Sequence, residues 1–451
     1  MLGPMALAFS IFHRSMQSQA RSGKVTTRHG SFLTPAFMPV GTRGTVKGIV
    51  PELLGATGAE ICLGNTYHLL LRPGPDTVAK LGGLQRFTGW HRPMLTDSGG
   101  YQAYSMANIN AINDEGVTFK SIVDGSSVHL SPERATTVQH ALGADIIMAF
   151  DDCPPSLGEA EPPRAGGEGG GDGASEVRAA KIDPRLSRVL VRDRKAQPAI
   201  DHQARLVQAN ERTVRWLERC KIAHESAGAQ HTQSLFGIVQ GGTDLAQRAW
   251  SAERICNIDL PGYAIGGVAV GETSDDIARI VRYTAPLLPA HKPRYLMGVG
   301  YERDIVAAVM AGVDMFDCVL PTRNGRNANA FTPVGQMRLR NAKFATDISP
   351  IWPGTEDVPA CDCHACQPPT GATGANAAHA ATGGGFSRGY LRHLFMAEEM
   401  LGPILVTLHN LRHFQRLMND LRATIATDDW TGFARRWPVA ADAVAAGLKN
   451  R

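Results

Sequence analysis

Eight segments, each with a short apolar run that ends in Gly, Asp, Asn or Gln, limit how this chain can fold more than any other feature. They are AFMPVG from Ala36, EICLGNTYH from Glu60, PMLTDSGG from Pro93, DIIMAFDD from Asp145, LFGIVQGG from Leu235, YAIGGVAVGE from Tyr263, RYLMGVG from Arg294 and VDMFDCVLP from Val313. A strand covered on both faces needs apolar side chains at every position, so continuous apolar runs alternating with helices indicate a parallel sheet under a helical layer. Helices fit the intervening segments. Over 131–142, Ser131 suits the N-cap, Pro132 the first helical position and Glu133 the first turn, and a helix over 302–311 is stopped by Gly312. Eight strand-helix units point to an α/β fold, a (β/α)8 TIM-type barrel.

In such a barrel the chemistry sits at the C-terminal ends of the strands. Those ends carry Asn65, Asp97, Asp151, Gln240, Gly267, Glu272, Met297 and Asp317, a dense polar set pointing to one shared site. Two of the carboxylates Asp97, Asp151 and Asp317 around a sugar carbon would serve as nucleophile and acid/base, dividing one displacement into two. An aspartate after a strand often only caps the next helix, and Asp152 and Asp314 fit that plainer role. Gln240 with the backbone of Gly266 and Gly267 suits the edge of a planar base, and Tyr101 and Met297 suit its faces. Tight packing alone would also account for the two glycines, and a core position for Met297. Thr322-Arg323-Asn324-Gly325-Arg326 follows the last strand, with Arg338, Arg340 and Lys343 close behind; arginines there bind phosphates or read base edges, unless the segment is only a solvated charged loop.

Cys361-x-Cys363-x-x-Cys366 places three soft ligands in one turn-like segment, and tetrahedral zinc needs a fourth, for which His364 and His409 are the candidates. A closed site of three cysteines and one histidine leaves no position for water, so the zinc is expected to be structural. Cys62, Cys153, Cys220, Cys256 and Cys318 read as buried thiols. Eight cysteines in 451 residues, three of them clustered, do not make a secreted disulfide framework. No stretch resembles a membrane span and the opening MLGPMALAFSIFHRSMQ lacks the pattern of a leader, so a cytoplasmic protein with no membrane partner is expected.

The 46 basic and 42 acidic residues leave a net charge of only +4, so any basic surface must be local. One candidate lies in an expected insertion at 156–200. Its first part, 156–175, has seven glycines and no aromatic residue, which predicts a mobile loop, and 178–195 has seven basic against two acidic residues. Following strand four, it would emerge on the catalytic face and add a sequence-independent phosphate contact. A second insertion, rich in Ala, Gly and Thr, spans 367–385 within a zinc-binding subdomain at about 345–415. Residues 1–23 read as a loose segment and 24–451 as the barrel domain.

DSGGYQ at Asp97, GIVQGG at Gly237, YAIGGVAVGE at Tyr263, YLMGVG at Tyr295 and DMFDCVLPTRNGR at Asp314, with the cysteine knuckle, resemble the motifs of bacterial tRNA-guanine transglycosylases, the queuine tRNA-ribosyltransferases. The resemblance runs from about Lys24 to Arg422. It implies a homodimeric, zinc-bearing pentosyltransferase of queuosine biosynthesis that exchanges guanine at the anticodon wobble position of tRNA for 7-aminomethyl-7-deazaguanine (preQ1). By motif, Asp317 is the nucleophile on the ribose and Asp97 the proton acceptor. Asp151, Gln240 and Gly267, with Ser98, Gly99, Gly100 and Gly266 beside them, would hold the base between Tyr101 and Met297. The tRNA contacts implied are Gly298, Val299, Gly300, Tyr301, Glu302, Arg303 and Asp304, and Thr322, Arg323, Asn324, Gly325 and Arg326. The family's zinc ligands fall on Cys361, Cys363, Cys366 and His409, the last in Thr407-Leu408-His409-Asn410; the 42 residues between Cys366 and His409 exceed the usual gap. Val270 and Cys153 are the residue types of the bacterial, preQ1-using enzymes, whereas eukaryotic relatives that use bulkier queuine carry glycine and valine there. Two other functions are open: a noncatalytic tRNA-binding relative, and a zinc-dependent barrel hydrolase, which would need metal ligands at the strand ends.

Overall fold

The computed structural model describes residues 6–102, 109–154, 201–269, 271–367 and 385–449. All eight apolar runs form strands of one parallel sheet: Ala36–Met38 with Val40–Gly41, then Cys62–Gly64, Met94–Thr96, Ile146–Met148, Ser234–Val239, Gly262–Ile265, Arg294–Leu296 and Met315–Asp317. The first strand is in two pieces because Pro39 between them has no N–H to give the ladder. Its first piece pairs with the eighth strand (Asp317 opposite Met38) and its second with the second strand (Val40 opposite Leu63), so the two free edges belong to one broken strand and the barrel closes.

Alternation within each strand sorts the side chains into two cores. Met38, Leu63, Leu95, Ile146, Met148, Phe236, Ile238, Ala264, Tyr295 and Met315 fill the barrel interior. Phe37, Ile147, Leu235, Val239, Ile265, Leu296 and Phe316 point outward into a second core beneath the helices. Ser131 caps Pro132–Leu142 as expected, accepting from the Arg134 amide, and Glu302–Met310 ends before Gly312 at φ +96°.

Three features depart from the sequence reading. Residues 8–14, within the segment 1–23 expected to be loose, form a strand. They pair antiparallel with Arg21–Thr27, which pairs with Gly30–Thr34, and Leu7, Val25 and Phe32 join the interior cluster as a floor to the barrel. A second antiparallel sheet, Ile109–Asn113, Gly116–Lys120 and Ser127–Leu130, stands between strand three and its helix. Asp314 and Asp152 are not helix caps: Asp314, fully buried, pairs with Arg21, and Asp152 pairs with Arg205 at 2.6 Å and Arg212 at 2.5 Å.

Beyond strand eight, a hairpin (Asn329–Thr332 and Gly335–Arg338), the cysteine knuckle and Arg388–Met396 pack with the first half of the 27-residue helix Leu401–Thr427 as a separate small core. The same helix closes the barrel's outer layer, Phe414 stacking on Phe37 at 4.7 Å. The whole of the glycine-rich, basic insertion at 156–200, and residues 368–384 of the 367–385 insertion, lie outside the described residues. No helix among the described residues is long and apolar enough to cross a membrane.

Candidate active site

Asp97 follows the third strand, buried, and three donors hold it. The Thr66 amide donates to Oδ1 at 2.7 Å, and the Asn65 and Gln102 side-chain amides donate to Oδ2 at 2.6 and 3.0 Å. Asn65 can reach because the second and third strands run in register and because its own Oδ1 caps the helix Thr66–Leu71. Burial raises the Asp97 pKa to about 7, the Asp317 charge adds to the rise, and the Thr66 and Gln102 hydrogen bonds oppose it.

Asp317 ends the eighth strand, half-buried. The Tyr295 hydroxyl donates to Oδ1 at 2.6 Å and the Gly298 amide to the same oxygen at 2.8 Å, while Oδ2 receives no hydrogen bond from the described residues. Both donors come from the neighbouring seventh strand and its exit loop. Burial raises the Asp317 pKa, and these two bonds resist the rise. Tyr295 faces the barrel interior, where an aromatic hydroxyl needs a partner; the sequence reading had assigned it no part.

The residues expected to hold the base follow strands three to six. Asp151 accepts from Gln240 Nε2 at 2.7 Å and Ser98 Oγ at 3.2 Å, and burial raises its pKa to about 6 against those two bonds. Gly100 gives its amide to Ser98 Oγ, and a Cβ there would lie 3.0 Å from the Asp151 carbonyl oxygen. Gly99 has φ +79° and packs on the Tyr67 backbone. The Gln240 amide lies across Gly266 and Gly267, where a Cβ on Gly267 (φ +61°) would stand 2.3 Å from Gln240 Oε1 and 3.6 Å from Cys153 Sγ. Tyr101 is 41% exposed and Met297 is half-buried against the interior cluster, as side chains free to meet a ligand must be. Val270 lies outside the described residues.

The RNA-contact expectations narrow. Of 298–304, Gly298, Tyr301 and Arg303 are exposed, whereas Val299, Gly300, Glu302 and Asp304 are buried, Glu302 bonded to His413 at 2.7 Å. The segment expected as a loop after the last strand is a helix, Leu320–Arg326, started by Pro321. It packs so closely on Leu401–Thr427 that a Cβ on Gly325 would meet the Thr407 backbone at 2.8 Å. Thr322 and Gly325 are therefore buried, Arg323 is exposed, and Asn324 and Arg326 are half-buried.

Cys361, Cys363, Cys366 and His409 are all buried, their ligand atoms within 4.8 Å of one another, and this group could hold a metal ion. His409 Nδ1 is 3.5, 3.5 and 3.4 Å from the three sulfurs, and Nε2 is 2.8 Å from the Phe331 carbonyl oxygen, which fixes the ring orientation. Tetrahedral zinc, with bonds of about 2.3 Å to sulfur and about 2.05 Å to nitrogen, spans a sulfur-nitrogen edge of about 3.6 Å. The donor set and spacing fit. His364 is not part of the group, and no such group stands at the strand ends among the described residues, contrary to what a zinc hydrolase would need.

A family model described as queuine tRNA-ribosyltransferase matches residues 16–166 and 190–441, leaving out 167–189 within the glycine-rich insertion. Similar proteins with the name queuine tRNA-ribosyltransferase occur in Symbiobacterium thermophilum (43% identical, covering 96% of this chain and 92% of the relative), Zymomonas mobilis (43%, 95% and 94%) and Thermus thermophilus (44%, 93% and 91%). With identity at this level over nearly the whole of each chain, this protein belongs to the queuine tRNA-ribosyltransferase family.

Proposed function

We propose that this chain is a tRNA-guanine transglycosylase that exchanges the guanine at the anticodon wobble position for preQ1 through a covalent ribosyl-Asp317 intermediate. The observation that carries the reading is the asymmetry at Asp317: two donors converge on Oδ1 and leave Oδ2 as the reactive oxygen. Oδ2 attacks the ribose anomeric carbon as the bond to guanine N9 breaks, and the departing base takes a proton from solvent, to which Asp97 returns the proton it accepts before the next turnover. The incoming base then gives its N9 proton to Asp97, attacks the same carbon and breaks the ester to Asp317. Two inversions restore the original configuration, and the phosphodiester chain is never cut.

Asp97 suits the proton step because a general base works best with a pKa near the working pH, and burial brings Asp97 to about 7. The Asp151 carboxylate is an acceptor for the purine N1–H and 2-amino group, and a Gly267 amide donor matches the 6-oxo group. A purine must leave the stack of the anticodon loop to reach them, which gives Tyr101 and Met297 their role on its faces. A valine at 270, where queuine-using relatives carry glycine, takes up space that queuine's larger substituent would need and favours the small aminomethyl group of preQ1.

The ion held by Cys361, Cys363, Cys366 and His409 is read as zinc in a structural role, tying the knuckle to the helix Leu401–Thr427. A homodimer acting in the cytoplasm is the reading the family resemblance supports. Incorporation of labelled guanine into unmodified tRNA tests the function: the account expects exchange without strand cleavage, competed by preQ1 more strongly than by queuine. Binding of tRNA without exchange would leave the noncatalytic reading.

A further inference from the structure

Among the described residues of the base-reading region, Arg248 is a fully buried guanidinium that the exchange chemistry leaves without a role. It lies in the first turn of Leu245–Asn257 with no solvent exposure, and no carboxylate pairs with it among the described residues. Its donors go to main-chain carbonyl oxygens instead: Nε to Gly242 at 2.9 Å, Nη1 to Val239 at 3.0 Å and Gly266 at 2.7 Å, and Nη2 to Gly267 at 2.8 Å. One turn further along, Ser251 Oγ accepts from the Gln240 backbone N–H at 3.1 Å. Burial lowers the Arg248 pKa to about 10, which still leaves it charged at neutral pH.

The Glu272 charge lies near enough to favour the charged form, yet a buried cation with no carboxylate in contact is costly, and an apolar residue would pack a helix on a strand at less expense. The four carbonyls bracket the two segments proposed to touch the base, the turn after strand five and the glycine pair after strand six. A trans peptide points its C=O and N–H in opposite directions. With the Gly266 carbonyl fixed on the guanidinium, the Gly267 N–H of the same peptide is directed away from Arg248 and polarised toward a stronger donor. The fork fits several carbonyls at once, which a lysine ammonium cannot reproduce.

We propose that Arg248 is a specificity-determining positioning residue, which holds and polarises the Gly266–Gly267 peptide so that it reads the 6-oxo group of the incoming purine. This inference rests on the base-reading role proposed above for Asp151, Gln240 and Gly267.

The test compares inhibition of labelled-guanine exchange by guanine, by 2-aminopurine, which lacks the 6-oxo group and with it the N1 proton, and by hypoxanthine, which keeps both and lacks only the 2-amino group. In Arg248→Met the preference for guanine over 2-aminopurine should shrink about tenfold, the change expected when one buried hydrogen bond weakens, while the preference over hypoxanthine stays. Arg248→Lys should fall between wild type and Arg248→Met; if the methionine variant does not fold, a loss for guanine with none for 2-aminopurine in the lysine variant carries the test. Parallel weakening of all three bases, or no change, overturns the proposal and leaves Arg248 a packing residue. Asp151→Asn separates the two failures: it should remove the preference over hypoxanthine, and if it does not, the base-reading assignment itself has failed.

Discussion

Replacing Gln102 with methionine should move the pH profile of base exchange toward alkaline pH. Gln102 Nε2 donates to Asp97 Oδ2 at 3.0 Å, and this bond is one of those holding the Asp97 pKa down against burial and the Asp317 charge, which together set it at about 7. A hydrogen bond to a charged group contributes about 1.5 to 3 kcal/mol. One pKa unit corresponds to about 1.4 kcal/mol, so deletion raises the Asp97 pKa by about one to two units. The lower end is the better expectation, because Gln102 is half-buried and water can replace part of the bond. Asp97 must be ionised to accept a proton, so activity is lost on the acid side. The profile of kcat/KM, which reports the free enzyme, should show its acid limb near pH 7 in the wild type and near or above pH 8 in Gln102→Met. The variant should lose about fivefold at pH 7 and recover at higher pH. A limb that stays near pH 7, or an equal loss at every pH, would refute the assignment of Asp97 as the proton acceptor tuned by this bond.

Tyr295→Phe removes one of two donors to Asp317 Oδ1, so the covalent step should slow by about ten- to a hundredfold with tRNA affinity unchanged, as read in single-turnover and binding measurements. Asp151, raised from 3.8 to about 6, favours the folded state most while protonated; its contribution is whole below pH 4 and is lost as the pH rises through 6. Thermal unfolding of the substrate-free protein should thus show a decline of at most about 3 kcal/mol over this range from Asp151, and Asp151→Asn should flatten it. Cys363→Ser should abolish retention of one zinc per chain, measured by elemental analysis, and destabilise the fold by several kcal/mol.

The barrel was legible because its strands are covered on both faces, and a run such as Ile146–Met148 or Ser234–Val239 announces itself in any window. The antiparallel sheet around Gly116–Lys120 was not, because its outer strands INAIN and SVHL carry too weak an apolar pattern. Ala8–Arg14 is exposed along most of its length and is held as a strand by Arg21–Thr27 rather than by its own composition. Asp314 was mistaken for a cap because its partner Arg21 is 293 residues away. Gly325 was read as a loop glycine when it is a contact between two helices that leaves no room for a Cβ. In the site, the strand-end aspartates stood out by position, whereas Tyr295 and Arg248 were hidden: each acts from the interior, through hydrogen bonds that only the folded chain defines.

The most direct measurement is the mapping of a covalent tRNA adduct. Wild-type protein incubated with unmodified tRNA, denatured and digested, should yield a nucleotide-bearing peptide with the added mass on Asp317, chased away by preQ1 or guanine. Asp317→Asn keeps the side-chain shape but loses the anionic oxygen, so it should bind tRNA and form no adduct. An adduct on another residue, or one that forms equally in Asp317→Asn, would contradict the account.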